Sequence, residues 1–367
     1  MIPFSDPSAS YQAHKLEIDQ AIQRVLDSGW FVLGKEVDDF EKEFAAFHGE
    51  NFYAVGVANG TDAIALCLRS LGLGKGDEVI TASHTAVATV AGIEQANCVP
   101  VFADIDQVSR CIEPFSIEKR ISSKTRAIMP IHIYGQPCDM NAICRIAKEY
   151  GLEIIEDCSQ AHGAEINEQK MGTFGNLAAF SCYPTKNLGG TGDGGVILCS
   201  SEELFEEIKS LRQYGWNHER ESMLPGFNSR LDEIQAAILQ VKLKYLEKSN
   251  ERRRHIASFY NQALQELPIT LPYLPENELH AMHLYVIECE KRDQLIKHLR
   301  NCGVGASLHY PLPVHMHAAY SNRIYGSKDL PNTEAFYRRH LTLPMYPELT
   351  DQQLNLICSS VQEWFLR

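Results

Sequence analysis

The sequence is poor in basic residues. It has 34 lysines and arginines against 47 aspartates and glutamates, which gives a formal net charge of −13 at pH 7. A nucleic-acid partner normally requires a basic face that neutralises phosphates, so we expect none. No uninterrupted apolar run is long enough to cross a membrane, and no basic segment followed by an apolar one resembles a signal peptide. We therefore expect a cytoplasmic protein that binds neither nucleic acid nor membrane.

Paired cysteine motifs are also missing. The 11 cysteines are scattered with no CxxC spacing, and we interpret them as reduced thiols because no export signal is visible. His315 and His317 alternate in VHMHAAY, but no cysteine or carboxylate accompanies them at metal-ligand spacing. We therefore expect no metal site and give both histidines a structural role in a loop.

The composition is that of a globular protein long enough for two domains, with 367 residues of which 44% are hydrophobic and 22% are charged. Between Phe52 and Ser200, short apolar runs alternate with helix-like segments. This alternation is typical of an α/β fold with a mostly parallel sheet. Seven strands are predicted, in the segments YAVGVA, DEVITA, CVPVFADI, AIMPIHIY, LEIIED, LAAFSCY and GGVILCS.

A helical pattern follows the last strand. Its apolar stripe recurs at spacings of three and four residues, and the members of that stripe are Leu231, Ile234, Ile238, Val241 and Tyr245. The charged run EKSNERRRH after it indicates a solvated helix face. We expect the domain boundary there, with a large domain at 1–248 and a smaller C-terminal α+β domain at 249–367.

Gly190, Gly192 and Gly195 satisfy the GxGxxG pattern that is typical of a dinucleotide site. That interpretation requires a helix immediately after the glycines, because the pyrophosphate sits at the helix N-terminus. The segment that follows is VILC, a short apolar run that predicts a strand. We therefore reject a nicotinamide oxidoreductase and expect these glycines to form the turn that leads into the strand.

Lys186 stands just before those glycines and just after a predicted strand. A desolvated lysine in a glycine-rich loop has the depressed pKa that a Schiff-base nucleophile needs, which suggests pyridoxal phosphate. This cofactor also needs a carboxylate to keep its pyridine nitrogen protonated. Asp157 ends the strand LEIIED and answers that need, and Gln160 follows it at a distance suited to the ring hydroxyl. Without the lysine and a phosphate site, Asp157 would be interpreted as a turn cap.

The phosphate group needs backbone amides at a helix start and hydroxyl donors. In VANGTDAIALCLRSL, Asn59 and Gly60 turn the chain while Thr61 and Asp62 open an amphipathic helix. Taken alone this pattern is weak, because many helices begin with such capping residues. Ser181, on the strand before the lysine, offers a further hydroxyl.

Several stretches together resemble the DegT/DnrJ/EryC1/StrS family of sugar aminotransferases, which are pyridoxal-phosphate enzymes of the fold-type I architecture. The resemblance covers nearly the whole chain and rests on GWFVLGKEVDDFEKEFAAFHG, ANGTDAI, KGDEVITASHTAVATVAGI, PVFADID, IHIYGQPCDM, EDCSQAHGA, SCYPTKNLGGTGDGG, PGFNSRLDEIQAAIL and HYPLPVHM.

The resemblance implies Lys186 as the cofactor-binding lysine and proton shuttle, Asp157 on the pyridine nitrogen and Gln160 on the ring hydroxyl. It implies phosphate contacts from Gly60, Thr61 and Ser181, a further cofactor contact from Asp62, and His84 against the cofactor ring. Asn228 in GFNSR matches the family's phosphate ligand from the neighbouring subunit. This implies a homodimer with shared active sites.

The function implied by the resemblance is transamination, since relatives that replace the lysine by histidine are dehydratases. Glutamate is the expected amine donor and a nucleotide-linked keto sugar the acceptor. Residues in family-like loops are expected to contact the sugar nucleotide, although each is equally consistent with interface or packing roles; they are Tyr183, Arg212, Tyr214, Arg230, His309 and Tyr310.

Two stretches that contain His84 and Asn228 are most similar to the branch that makes dTDP-3-amino-3,6-dideoxyhexoses. In that branch His84 stands where many 4-aminating relatives have a bulkier aromatic residue. We therefore expect dTDP-3-keto-6-deoxyhexose as acceptor. The alternatives are a 4-aminating transaminase of the same family and a noncatalytic nucleotide-sugar-binding protein.

Overall fold

The computed structural model describes residues 1–366, and its centre is a seven-stranded sheet. The strands of the whole chain are β1 Tyr53–Val57, β2 Glu78–Ala82, β3 Val99–Ala103, β4 Thr125–Ile128, β5 Glu153–Asp157, β6 Glu165–Ile166, β7 Gln169–Lys170, β8 Leu177–Ser181, β9 Gly195–Cys199, β10 Glu278–Leu279, β11 Tyr285–Glu288 and β12 His340–Leu343.

Helices precede, separate and follow these strands. They are α1 Pro7–Ala13, α2 Lys15–Ser28, α3 Lys35–His48, α4 Gly60–Ser70, α5 Val87–Gln95, α6 Pro114–Glu118, α7 Met140–Tyr150, α8 Glu202–Leu211, α9 Glu233–Leu243, α10 Leu246–Leu264, α11 Arg292–Asn301, α12 Pro331–Tyr337 and α13 Asp351–Phe365, with short 3-10 turns at Ile133–Gly135 and Val314–Met316.

The central sheet has the order β1-β9-β8-β5-β4-β2-β3, and it contains all seven predicted strands. Strands β8, β5, β4, β2 and β3 run parallel to one another, whereas β9 is antiparallel to both β1 and β8. The prediction of a mostly parallel seven-stranded sheet is confirmed. The run after the GxGxxG glycines is β9, so the rejection of a dinucleotide site holds.

Both faces of the sheet are covered. Along β9, Val196 and Leu198 enter the core that contains α3, α7 and α9, whereas Ile197 and Cys199 enter the core that contains α4 and α8. This alternation follows from the two-residue period of a strand. Because both faces are buried, the strands consist of near-continuous apolar runs, as their sequences suggested.

A separate apolar core lies in the C-terminal part. It is formed by residues of α10, β11, α11, β12 and α13, and it also contains Ile2. Helix α10 runs through the expected boundary at 248/249 without a break, so the division into domains 1–248 and 249–367 remains our proposal. Within residues 1–366, none of the helices combines the length and apolarity required to cross a bilayer.

Candidate active site

A cavity of about 280 Å³ lies at the carboxyl edge of the central sheet. Ligands of open α/β sheets bind at this edge, because the loops leaving parallel strands converge there. The cavity is lined by Asn59, Gly60, Thr61, Ile64, Thr85, Ala86, Ala88, Thr89, Ile131, Asp157, Ser159, Gln160, Ser181, Tyr183, Lys186 and Asp193. It therefore joins the predicted lysine, carboxylate and phosphate residues, which come from three separate segments.

Helix α4 points its N-terminus at this cavity. The Asn59 side chain caps the helix by accepting a hydrogen bond of 2.8 Å from the Asp62 backbone N–H. The first N–H groups of a helix have no intrahelical partner, so those of Gly60 and Thr61 are available to an anion. A Cβ on Gly60 would lie 2.7 Å from the Ser181 Cβ. Glycine at this position therefore lets the strand that carries Ser181 approach the helix start.

Asp62 contributes its backbone to the helix start, but its carboxylate does not line the cavity. Asp62 Oδ2 accepts a 2.7 Å hydrogen bond from the Ser229 hydroxyl, and Oδ1 accepts one of 3.2 Å from Gln95. The Ser229 oxygen also accepts from the Ala58 N–H at 3.1 Å. The segment that includes Asn228 is thereby attached to the start of α4.

Asp157 is buried at the end of β5 and faces the cavity. The Thr89 hydroxyl donates to Asp157 Oδ2 at 2.8 Å, and the Ser159 N–H donates to Oδ1 at 3.1 Å. Thr89 in turn contacts the Thr85 hydroxyl at 2.7 Å. These bonds fix the plane of the carboxylate. Neither threonine was identified from the sequence. Thr89 and Asp157 are 68 residues apart, and no local sequence pattern reveals a contact over that separation.

Lys186 lies partly buried in the loop between β8 and β9 and lines the same cavity. Desolvation lowers the pKa of its amine to about 8, while the negative charge of Asp157 opposes that change. An amine with this pKa is partly neutral at physiological pH, which is the state that attacks a carbonyl carbon. The environment of Lys186 in the structure therefore suits the Schiff-base chemistry that the sequence predicts for it.

Gln160 lines the cavity, and both the oxygen and the nitrogen of its side-chain amide form hydrogen bonds with other residues. Its Oε1 accepts a 2.7 Å hydrogen bond from the Tyr134 N–H, and its Nε2 donates to the Tyr310 hydroxyl at 3.0 Å. Tyr310 therefore lies beside the cavity, and the Tyr134 hydroxyl donates to the His309 carbonyl. His309 itself contacts the Thr342 hydroxyl at 3.0 Å, and burial together with Lys186 lowers the pKa of its ring to about 4.

His84 does not line this cavity, contrary to our expectation. Its buried ring contacts the Tyr337 hydroxyl at 3.1 Å and packs edge-on against Tyr134, Phe336 and Tyr337. The chain leaves β2 at this point, and the next two residues, Thr85 and Ala86, line the cavity instead. The methyl group of Ala86 thus lies at the cavity wall where the histidine ring was expected.

Arg212 does not line the cavity either, contrary to our expectation, because its side chain is buried in an ion pair with Glu41. Its Nη1 donates to Glu41 Oε1 at 2.5 Å and to the Gly56 carbonyl at 2.8 Å. Glu41 Oε1 also accepts from the Gly56 N–H at 2.7 Å, so the two side chains bind both backbone polar groups of Gly56 on the edge strand β1. Arg212 is buried in this arrangement and does not line the cavity.

The remaining predicted substrate residues lie at different places. Tyr183 lines the cavity and is 52% exposed. Tyr214 packs its ring on Trp216, with centroids 4.9 Å apart, in the loop after α8. Asn228 is exposed at the other end of that loop, and Arg230 is partly buried beside it. In this single chain, neither Asn228 nor Arg230 lines the cavity of its own subunit.

The residues present fit pyridoxal phosphate. The α4 N-terminus with the Ser181 and Thr61 hydroxyls suits a phosphate, the buried Asp157 suits a protonated ring nitrogen, and Lys186 suits the aldehyde. The buried side chains of His132, Glu156 and Cys158 lie close together outside this cavity. The Glu156 carboxylate already accepts hydrogen bonds from three backbone N–H groups and faces the His132 ring.

Comparison with known proteins decides the family. The family model described as the DegT/DnrJ/EryC1/StrS aminotransferase family matches residues 12–362. The chain belongs to this family. It is a sugar aminotransferase, and its cofactor is pyridoxal phosphate, as we expected from Lys186, Asp157 and the α4 N-terminus.

Two characterised relatives are similar to the aminotransferase over nearly its whole length. It is 42% identical over 364 residues to dTDP-3-amino-3,4,6-trideoxy-alpha-D-glucose transaminase of Streptomyces venezuelae, with 99% of this chain and 96% of the relative covered. It is also 42% identical over 364 residues to dTDP-3-amino-3,6-dideoxy-alpha-D-galactopyranose transaminase of Aneurinibacillus thermoaerophilus, with 99% of each covered.

A solved structure agrees with the fold of the aminotransferase. The crystal structure of S. venezuelae DesV in complex with a ketimine intermediate superposes with a TM-score of 0.97 at 42% identity, covering 100% of this chain and 99% of that chain. The predicted fold-type I architecture is therefore confirmed.

Proposed function

We propose that the aminotransferase transfers the amino group of L-glutamate to the third carbon of dTDP-3-keto-6-deoxyhexose. The products are 2-oxoglutarate and a dTDP-3-amino-3,6-dideoxyhexose, so the amine and two electrons leave glutamate and reduce the keto carbon. The observation that carries the proposal is the Lys186 amine, with a pKa of about 8, in one cavity with the buried Asp157 and the α4 N-terminus.

Bound pyridoxal phosphate supplies the electron sink that stabilises negative charge at the substrate carbon. In our proposal Lys186 takes the proton from that carbon as a neutral amine and returns a proton as an ammonium group. A pKa of about 8 supports both roles, because each protonation state is populated near neutral pH. Asp157 holds a proton on the ring nitrogen, and Gly60, Thr61 and Ser181 hold the phosphate. Gln160 remains the proposed partner of the ring hydroxyl.

The choice of the third carbon rests on the relatives. Both transaminases at 42% identity carry names with a 3-amino product. A further relative from Acidithiobacillus ferrooxidans, 37% identical over 362 residues with 98% of this chain and 97% of the relative covered, is named a 3-aminotransferase of a UDP-linked sugar. His84 gives no support to this choice, since its ring packs against Phe336 and Tyr337 and away from the cavity.

We test the regiochemistry with two acceptors supplied separately. The holoenzyme receives glutamate with either dTDP-3-keto-6-deoxyhexose or dTDP-4-keto-6-deoxyglucose, and 2-oxoglutarate release is followed. Faster release with the 3-keto sugar is expected. Preference for the 4-keto sugar would assign the chain to the 4-aminating alternative and leave the transaminase chemistry intact.

We further propose a homodimer in which Asn228 completes the phosphate site of the partner subunit. The exposure of Asn228 and its absence from its own cavity support this arrangement. Exposed apolar side chains supply a surface for self-association; they include Trp30 at 62%, Phe31 at 51%, Met223 at 64% and Leu224 at 40% exposure. The Val32–Asp232 bridge joins the first pair to the start of α9, near Asn228.

Tyr183, Tyr310 and His309 are proposed sugar-nucleotide contacts, because they line or adjoin the cavity. Tyr214 and Arg230 remain proposed contacts that would act near the subunit boundary. Arg212 is removed from this group. We also propose that the reaction takes place in the cytoplasm, which is consistent with all 11 cysteines being free thiols.

A further inference from the structure

Asn187, the residue after Lys186, makes three hydrogen-bonding contacts through its side chain. Its Nδ2 group donates to Asn250 Oδ1 at 2.8 Å and to the Ala281 carbonyl at 2.7 Å. Its Oδ1 lies 3.1 Å from His283 Nδ1. An amide oxygen can only accept, so His283 carries its proton on Nδ1. These three contacts join the lysine loop to α10 and to the segment before β11.

The Asn250 branch of this network leads back to the carboxylate side of the cavity. Asn250 is buried in α10, and its Nδ2 donates to the His162 carbonyl at 2.7 Å. His162 follows Gln160 by two residues and Asp157 by five. The loop that carries Lys186 and the loop that follows Asp157 are therefore attached to the same amide side chain.

The His283 branch reaches the same place by another route. The backbone N–H groups of His283 and Ala281 donate to the carbonyls of Tyr134 at 2.9 Å and Gly135 at 3.0 Å. The Tyr134 N–H donates to Gln160 Oε1 at 2.7 Å. The two branches thus close a ring of hydrogen bonds that begins and ends at Asn187. A ring of this kind resists changes in the spacing between the lysine loop and the Asp157 loop.

The charge of the surroundings is consistent with a positioning role. Burial and the nearby Lys186 charge hold the pKa of His283 well below its ordinary value, and burial lowers the pKa of His162 to about 3. Both rings are therefore neutral near pH 7, and the network places no extra cation beside the lysine amine. Its effect on Lys186 is geometric.

We propose that Asn187 is a positioning residue of transamination, which sets the Lys186 amine against Asp157 through its bonds to Asn250 and His283. This inference rests on Lys186 being the cofactor-binding lysine. Displacement of a reacting group by about 1 Å costs on the order of 100-fold in rate, so the contribution of such a residue is large although it touches no substrate.

The test uses the holoenzyme with Asn187→Ala, the isosteric Asn187→Asp, and Asn250→Ala. Asn187→Asp keeps the volume of the side chain and the oxygen that accepts from His283. It replaces the donating NH2 group by an oxygen, so Asn250 Oδ1 and the Ala281 carbonyl lose their donor. We expect kcat to fall about 10- to 100-fold in each variant while KM for both substrates changes less than about 3-fold. The rate at which added cofactor becomes covalently attached to the cofactor-free protein, followed by visible absorbance, should fall with kcat.

Asn176→Ala is the control, because the Asn176 side chain also makes a hydrogen bond between segments: its Oδ1 accepts from the Ile154 N–H at 2.8 Å, at the opposite edge of the sheet from the cavity. It should lose stability without the kcat loss. The double variant Asn187→Ala/Asn250→Ala should be no slower than the worse single variant, since both changes open one network.

Two outcomes would overturn the proposal: a kcat within about 2-fold of wild type in folded Asn187→Asp, or an equal kcat loss in the Asn176→Ala control. Borohydride reduction and peptide mapping of the wild type distinguish failure of the positioning role from failure of the proposed function. A label on a lysine other than Lys186 removes the premise, whereas a label on Lys186 with unaffected Asn187 variants overturns only the positioning role.

Discussion

A Cβ atom on Gly195 would lie 2.4 Å from the carbonyl oxygen of Asn59. Gly195 begins β9 and Asn59 caps α4, so the third glycine of the GxGxxG pattern provides room for the phosphate-binding helix start. The backbone of Gly195 does not adopt a positive φ, so the requirement is for space. Gly195 is therefore explained by close packing of backbones beside the cofactor site.

Gly195→Ala should therefore weaken cofactor binding. The added methyl group must displace the Asn59 backbone, and overpacking of this kind costs about 1–3 kcal/mol in free energy of unfolding. We expect a lower melting temperature and a weaker affinity for added pyridoxal phosphate, measured by visible absorbance. Gly192→Ala is the control, because its Cβ would meet only the end of the flexible Gln235 side chain at 3.1 Å. Equal behaviour of the two variants would contradict the explanation.

Lys186 should carry the cofactor. Borohydride reduction of the holoenzyme followed by peptide mapping should place a pyridoxyl group on Lys186 and bleach the visible band. Lys242 is a built-in control: it is a buried lysine whose Nζ donates to the Gly189 carbonyl at 2.7 Å, and it should stay unlabelled. Lys186→Ala should lose several orders of magnitude in transamination rate and keep its fold. A label elsewhere, or none, contradicts the mechanism.

Stability of the cofactor-free protein should rise with pH because of Lys186. Its folded-state pKa of about 8 lies below the ordinary value of 10.5, so the unfolded chain binds more protons between these two values. The free energy of unfolding contributed by this group is therefore lowest below pH 8 and increases up to about 10.5.

Urea denaturation at several pH values in this window measures that slope. The Lys186→Met variant should show a smaller increase than the wild type. Lys242, whose pKa is also lowered by burial, is present in both proteins, so the difference between them isolates Lys186. Identical slopes would show that the amine is not desolvated in the folded protein.

Mixed subunits test the shared site. Lys186→Ala and Asn228→Ala proteins should each be inactive or impaired, and subunit exchange should recover part of the activity, because one site of each heterodimer keeps both residues. Self-mixing of each variant under the same conditions is the control. No recovery, with dimers still formed, would mean that Asn228 does not act in the partner's site.

The sequence alone determined the sheet and the two principal residues of the site. Short apolar runs that alternate with helix-like segments predicted the seven strands, because a strand buried on both faces is apolar along its length. Lys186 and Asp157 were found for a related reason: each follows or ends a predicted strand, and the carboxyl ends of parallel strands converge on one edge. The segments around them also carried the family resemblance.

Only the tertiary structure decided which neighbouring side chains enter the cavity. The path of the chain after β2 turns His84 toward Phe336 and Tyr337 and leaves Ala86 at the cavity wall. Arg212 is paired with Glu41, 171 residues away, and no local pattern encodes that contact. Thr89 and Asn187 were missed for the same reason. Contacts of this kind depend on how distant segments pack together, whereas the helices and strands that carry the residues are determined by local sequence patterns.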